Sequence, residues 1–121
     1  MLTLQEYGHA QKFIEHLNQR GGIVVLQSIP APEMEWKSAL NILETTLKME
    51  KDVNQSLLNL SKVASQNDDP ELEDFISCEF LHEQVTDIKH AADMITQLNL
   101  AGTTGLGLYL FDKQVSSGSN K

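Results

Sequence analysis

From Glu35 to Gln66 the chain carries neither glycine nor proline, and along it apolar or small residues return on a helical beat. Trp36, Leu40, Leu43, Leu47, Leu57 and Ala64 occupy one stripe, and Glu50, Asn54 and Ser61 fill its remaining places. The steps alternate between four and three, which is the pattern of a helix packed almost antiparallel against neighbours in a bundle. A helix of about 30 residues runs ~45 Å. The fold class this dictates is all-α, and the rest of the chain agrees with it.

A first polar, helix-prone segment runs from about Leu4 to Arg20. It is stopped by Gly21 and Gly22, with Arg20 placed where a cation favours a helix C-terminus. Residues 23–34 hold β-branched residues and two prolines and read as an extended connection, too proline-rich for a central strand. After the long helix, Asn67-Asp68-Asp69-Pro70 breaks the chain. Asp69 is a natural N-cap and Pro70 suits a first helical position. A second long helix is predicted from Pro70 to about Leu100, stopped by Gly102, and a short apolar helix over Gly105–Lys113. Residues 1–115 therefore read as one helical domain, four-helix-bundle-like but short by one long helix, and 116–121 as a disordered tail.

Charge narrows the function. Of 121 residues, 9 are basic and 17 acidic, giving a formal charge of −8. Such a surface repels phosphate backbones, so no nucleic-acid partner is expected, while affinity for cations stays open. No stretch approaches the ~20 apolar residues that span a bilayer. The N-terminus has no basic region followed by an apolar run, so a cytoplasmic location is expected. The single cysteine, Cys78, excludes an intramolecular disulfide, and with Glu79 beside it and no basic neighbour it is a poor nucleophile.

Two spacings and one lone carboxylate carry chemistry. Glu6 and His9, three apart on the first helix, share a face, and Glu-x-x-His on an inward face is how di-iron bundles supply a carboxylate and an imidazole; as a lone spacing it is also what any polar helix surface produces. Glu50 lies on the apolar stripe, where an unpaired charge is costly, so it needs a partner or a cation. The competing expectation pairs it with Lys48 or Lys51 at the edge of a drifting stripe. Gln84 and Asp87 are again three apart and offer two oxygen donors to a hard cation, against the plainer reading of a solvated stretch. His82 and His90 read as surface histidines, and Trp36 as packed beneath the connection.

At this point the blocks assemble into a family resemblance. Glu6-x-x-HAQKFIEHLNQRGG, VVLQ-x-I-x-x-PE-x-EW, MEKDVNQSLLNL, NDDPELEDFI, FLHEQV-x-x-IK and the ending GLGLYLFDK resemble consecutive segments of a eukaryotic ferritin across roughly residues 5–115. The resemblance implies a ferritin-like bundle, assembly into a hollow twenty-four-subunit cage, and storage of ferric mineral after oxidation of Fe(II) by O₂ at a di-iron centre. It also implies that Glu6, His9, Glu50 and Gln84 are iron ligands, that Asp87 adds a carboxylate, and that Asp74 lines the three-fold channel.

The departures matter as much. In the family a whole helix and half of the next precede the position of Glu6, and a glutamate on that helix supplies an iron ligand. The expectation is thus a heavy-type, ferroxidase-type subunit shortened at its N-terminus. Gln5 and Gly8 stand where heavy-type chains carry nucleation carboxylates, Ser77 and Ser61 replace an acidic channel residue and a nearby histidine, and Phe80 replaces a tyrosine. Two functions follow: an iron-storage subunit with ferroxidase activity if its centre is completed, or a catalytically silent subunit that co-assembles with full-length ferritin or serves as an interaction scaffold. In either case the missing helix leaves apolar faces for association to cover. The melting temperature is therefore expected to rise with protein concentration, as it does when binding stabilises the fold; a sharp, concentration-independent melt of a monomer refutes this.

Overall fold

The computed structural model describes residues 2–32 and 35–118. Glu33 and Met34 of the expected connection, and residues 119–121 of the expected tail, lie outside the described residues. All regular elements among the described residues are helical. The chain divides into two compact units, Met1–Glu33 and Met34–Lys121, and each is described by itself.

The first unit is one helix and its exit. Helix α1 spans Leu2–Gln19. It ends where the Gly22 amide donates to the Leu17 carbonyl at 2.9 Å and Gly21 takes φ +76°, the left-handed exit for which glycine is suited. From Gly22 to Pro32 no regular element forms, as the prolines require, and Ile23, Val25, Leu26 and Ile29 are 76–91% exposed.

The second unit is built on the stripe. Helix α2 spans Ala39–Gln66, so the expected start at Glu35 is four residues too early. Ser38 sets the true start: its backbone is extended and its hydroxyl accepts the Asn41 amide at 3.1 Å, closing one of the unpaired N–H groups at a helix start. Trp36 therefore lies ahead of the helix and is 46% exposed. From Leu40 onward every stripe position is buried or half-buried.

The turn back follows the Asn-Asp-Asp-Pro signal. Asp68 takes φ +53°, a conformation its short polar side chain tolerates, and the Asp69 carboxylate accepts the Leu72 amide at 3.1 Å. Helix α3 spans Pro70–Ile76 and helix α4 His82–Ala101. Between them Ser77–Leu81 forms a π turn, in which the His82 amide donates to the Ser77 carbonyl five residues back. The expected unbroken α-helix from Pro70 to Leu100 is thus a single rod with one widened turn. It packs against α2, burying Leu57 and Ala64 against the face that carries Ile76, Phe80, Ala91 and Leu98. The outward faces carry paired charges, Lys48 with Asp52 and Lys89 with Asp93.

Gly102, at φ +103°, ends α4. Helix α5 spans Gly105–Gly118, five residues beyond the apolar segment that predicted it, and docks on α4 through buried Phe111. Gly107 is what permits this joint, since a Cβ there would lie 1.9 Å from the Ala101 carbonyl oxygen. Gly8 in α1 has open space around it. Gly107→Ala is expected to destabilise the fold by more than 1 kcal/mol, in order of magnitude about the cost of an overpacked site. Gly8→Ala should stabilise it by roughly 0.5–1 kcal/mol, through helix propensity alone. Urea denaturation of the two variants checks the opposite signs.

Candidate functional site

On α1, Glu6 and His9 share a face as their spacing predicts. The His9 Nδ1 lies 3.6 Å from a Glu6 carboxylate oxygen, with the imidazole side chain 20% exposed and the carboxylate 65%. That separation is too long for a strong hydrogen bond, so the pair is held loosely side by side. These two residues belong to the first unit.

In the second unit the structure brings Glu50 and Gln84 together across the packed helices. Gln84 is the buried polar residue of the described chain, 6% exposed. Its Nε2 donates to the Glu50 main-chain carbonyl at 2.7 Å and to the Glu50 carboxylate at 3.0 Å. The amide's orientation follows from this pairing, because turning it over would set its oxygen against two acceptors. Glu50 therefore has a partner on the facing helix, and Lys48, one of the two lysines expected to pair with it, is engaged by Asp52. The solvated reading of Gln84 is likewise overturned. A charge-assisted hydrogen bond of this kind is stronger than one between neutral groups, and it leaves the amide oxygen of Gln84 and the second carboxylate oxygen of Glu50 outside these two bonds.

Asp87 lies one turn beyond Gln84 on α4 and is half-buried. Among the described residues no three His, Cys, Asp or Glu side chains converge into a metal-holding group. Carboxylate and amide oxygens such as those of Glu50 and Gln84 are donors that a hard cation accepts. His82 and His90 are exposed, as expected. Asp74 lines an open depression together with Ser61, Pro70, Glu73, Ser77 and Leu81. This depression gathers all three positions singled out for the channel. Sequence reasoning missed the main-chain carbonyl of Glu50 as a partner and the π turn next to Gln84; the trace of the latter was the repeat Ile76, Phe80, Gln84, spaced by four and four.

Comparison with known proteins agrees on one family. The ferritin-like domain matches residues 2–101. The chain is 45% identical over 117 residues to the soma ferritin of Lymnaea stagnalis, covering 96% of this chain and 67% of that protein. It is 49% identical over 112 residues to the ferritin middle subunit of Aquarana catesbeiana, covering 90% of this chain and 64% of that protein. To the ferritin of Pacifastacus leniusculus it is 45% identical over 112 residues, covering 92% and 62%. The chain thus spans about two thirds of the length of these relatives.

Cys78 stands one turn from Asp74, and its thiol donates to the Asp74 carboxylate at 3.6 Å. The Asp74 charge first, then that hydrogen bond, then slight desolvation and Glu79 push its pKa above the ordinary thiol value. A raised pKa means less thiolate at any pH below it. Alkylation by iodoacetamide at pH 8 is expected to be slower than that of a free cysteine peptide, and Asp74→Asn should accelerate it a few-fold, roughly in line with removing one nearby charge. An unchanged rate in that variant contradicts the assignment.

Proposed function

Because the chain belongs to the ferritin family, we propose that it is an iron-storage subunit that takes Fe(II) as substrate and delivers Fe(III) to mineral. The observation that carries this reading furthest is the Glu50–Gln84 pair. An acidic residue and an amide sit together inside a mostly aliphatic helix interface, where two hydrocarbon side chains would pack at less cost. Retaining polar oxygens there makes sense when they serve a ligand.

The proposal assigns Glu50 and Gln84 as oxygen donors to iron, Asp87 as an additional carboxylate, and Glu6 with His9 as the carboxylate and imidazole donors of α1. Asp74 belongs to the route by which cations enter, in the depression it shares with Ser61, Glu73 and Ser77. The formal charge of −8 supports this role, since an acidic surface raises the local concentration of cations. With the centre completed, two Fe(II) ions taken as substrate would be oxidised to two Fe(III), their two electrons and two protons from water reducing one O₂ to hydrogen peroxide. The carboxylates favour Fe(III) over Fe(II) by their charge, which makes the oxidation downhill. Self-association or co-assembly with other ferritin subunits, into the cage of the family, completes the proposal.

Anaerobic titration with Fe(II), followed by addition of O₂, tests it. About two irons per chain and an absorbance transient of a diferric species are expected, with Glu50→Ala weakening binding by at least ~10-fold, the scale of losing a metal-site group. One weakly held iron or none, with oxidation no faster than in buffer, replaces this reading by that of a catalytically silent subunit.

A further inference from the structure

Gln84 meets Glu50 because of how its helix is wound. Along the rod the buried face is marked by Ile76, Phe80, Gln84, Ala91 and Leu98, in steps of four, four, seven and seven. Steps of seven keep a face, since an α-helix turns ~100° per residue. Two successive steps of four do not: they overshoot two full turns by ~80°. In an unbroken α-helix Gln84 would point well to the side of Ile76, away from the face that α2 covers. The π turn at Ser77–Leu81 falls inside this interval. Such a turn takes up one extra residue without advancing the face. Ile76 to Gln84 then behaves as seven residues and returns to within ~20° of the same line.

An aromatic contact supports the same geometry independently. Phe75 and Phe80 meet edge to face, with centroids 5.3 Å apart and planes at 81°. They are five residues apart, which in a plain α-helix puts them ~140° apart around the axis and out of reach. With one residue taken up by the π turn they stand as neighbours on successive turns do, where side chains touch.

We propose that the π turn is a register device for the Glu50–Gln84 pair, and that Phe80 is its positioning residue. Phe80 is 4% exposed, so its ring is anchored in the core while its edge-to-face contact with Phe75 holds the turn open. Ser77 and Cys78, the residues that the wider turn accommodates, face solvent. Relaxation of the turn to ordinary α-helix would return Phe75 and Phe80 to opposite sides and carry the Gln84 amide off both of its acceptors. The functional consequence, though not the register itself, rests on the reading of Glu50 and Gln84 as iron donors.

The test reads Gln84 without iron, through exchange of its side-chain amide protons by NMR in the full chain, with Gln84→Leu assigning the signal. Phe80→Ala is expected to speed this exchange at least ~10-fold, about what one lost hydrogen bond allows, and Phe80→Tyr to restore the native rate. Deleting Cys78 is the sharper experiment. If the π turn holds one surplus residue, the deletion converts it to plain α-helix, spaces Ile76, Phe80 and Gln84 by three and four, and leaves the amide protected. In an ordinary helix the same deletion swings Gln84 by ~100° and exposes it. A deleted chain that stays helical but loses the protected amide overturns the proposal, as does a Phe80→Ala chain that keeps it. Should Phe80→Ala not fold, the deletion decides alone. Fe(II) titration of the same proteins separates the two readings: a protected amide in both the unaltered and the deleted chain, with no iron bound by either, upholds the register device and removes the iron assignment.

Discussion

The second unit depends on one polar contact in an aliphatic interface. Helices α2 and α4 bring leucine and alanine together, and such surfaces tolerate sliding because hydrophobic attraction has little direction. The Gln84 amide does not tolerate it. A shift of one residue between the helices removes both the Glu50 carbonyl and the Glu50 carboxylate from its reach, leaving a buried donor unpaired at a cost of about 1–3 kcal/mol. The pair therefore specifies alignment where the apolar side chains supply adhesion.

The core that surrounds the pair is small. Its buried apolar members in the described chain are Leu57, Ala64, Ile76, Phe80, Ala91, Leu98 and Phe111, two of them alanines, which let the helices come close but bury little surface each. Meanwhile Ile23, Val25, Leu26 and Ile29 stand largely exposed in the first unit, and Leu106 and Tyr109 in the second. Small domains bury a lower fraction of their surface than large ones and gain less from it. Association has this exposed apolar surface to draw on.

What could be read from the sequence depended on whether a residue's role is encoded in periodicity. The alternation of four and three from Leu40 to Ala64 marked the buried face of α2 correctly, and it singled out Glu50 because a carboxylate interrupted an apolar rhythm. The Asp69-Pro70 start was legible because capping is a local interaction between a side chain and the amides just beyond it. Trp36 misled because it fits the rhythm, while the start of the helix was decided by Ser38, whose hydroxyl accepts the backbone amide three residues later in the chain. Gln84 was obscured by its polar neighbours Glu83, Thr86 and Asp87, which make the segment look solvated. The π turn was hidden for a related reason: a pattern search built on 3.6 residues per turn treats two steps of four as drift, although here they record an extra residue. The assignment of iron to these positions came from the resemblance of whole blocks, since each spacing alone is common on helix surfaces.

An amide at position 84 is what lets a polar pair sit in this interface. Two carboxylates facing each other at this distance would repel, and one would take up a proton to relieve the repulsion. Glutamine avoids this. Its nitrogen donates to the Glu50 main-chain carbonyl and carboxylate, which holds that side chain in place, while its oxygen stays outside these two bonds and adds no charge. The amide is consequently satisfied within the interface, and on the proposed reading a cation would find these oxygens already oriented rather than having to assemble them. Preorganisation of this kind places a demand on the backbone, because the amide has to be presented at one angle only. The wider turn at Ser77–Leu81 meets that demand by spending one extra residue on register, which is why the irregular part of the helix lies next to its one buried polar side chain.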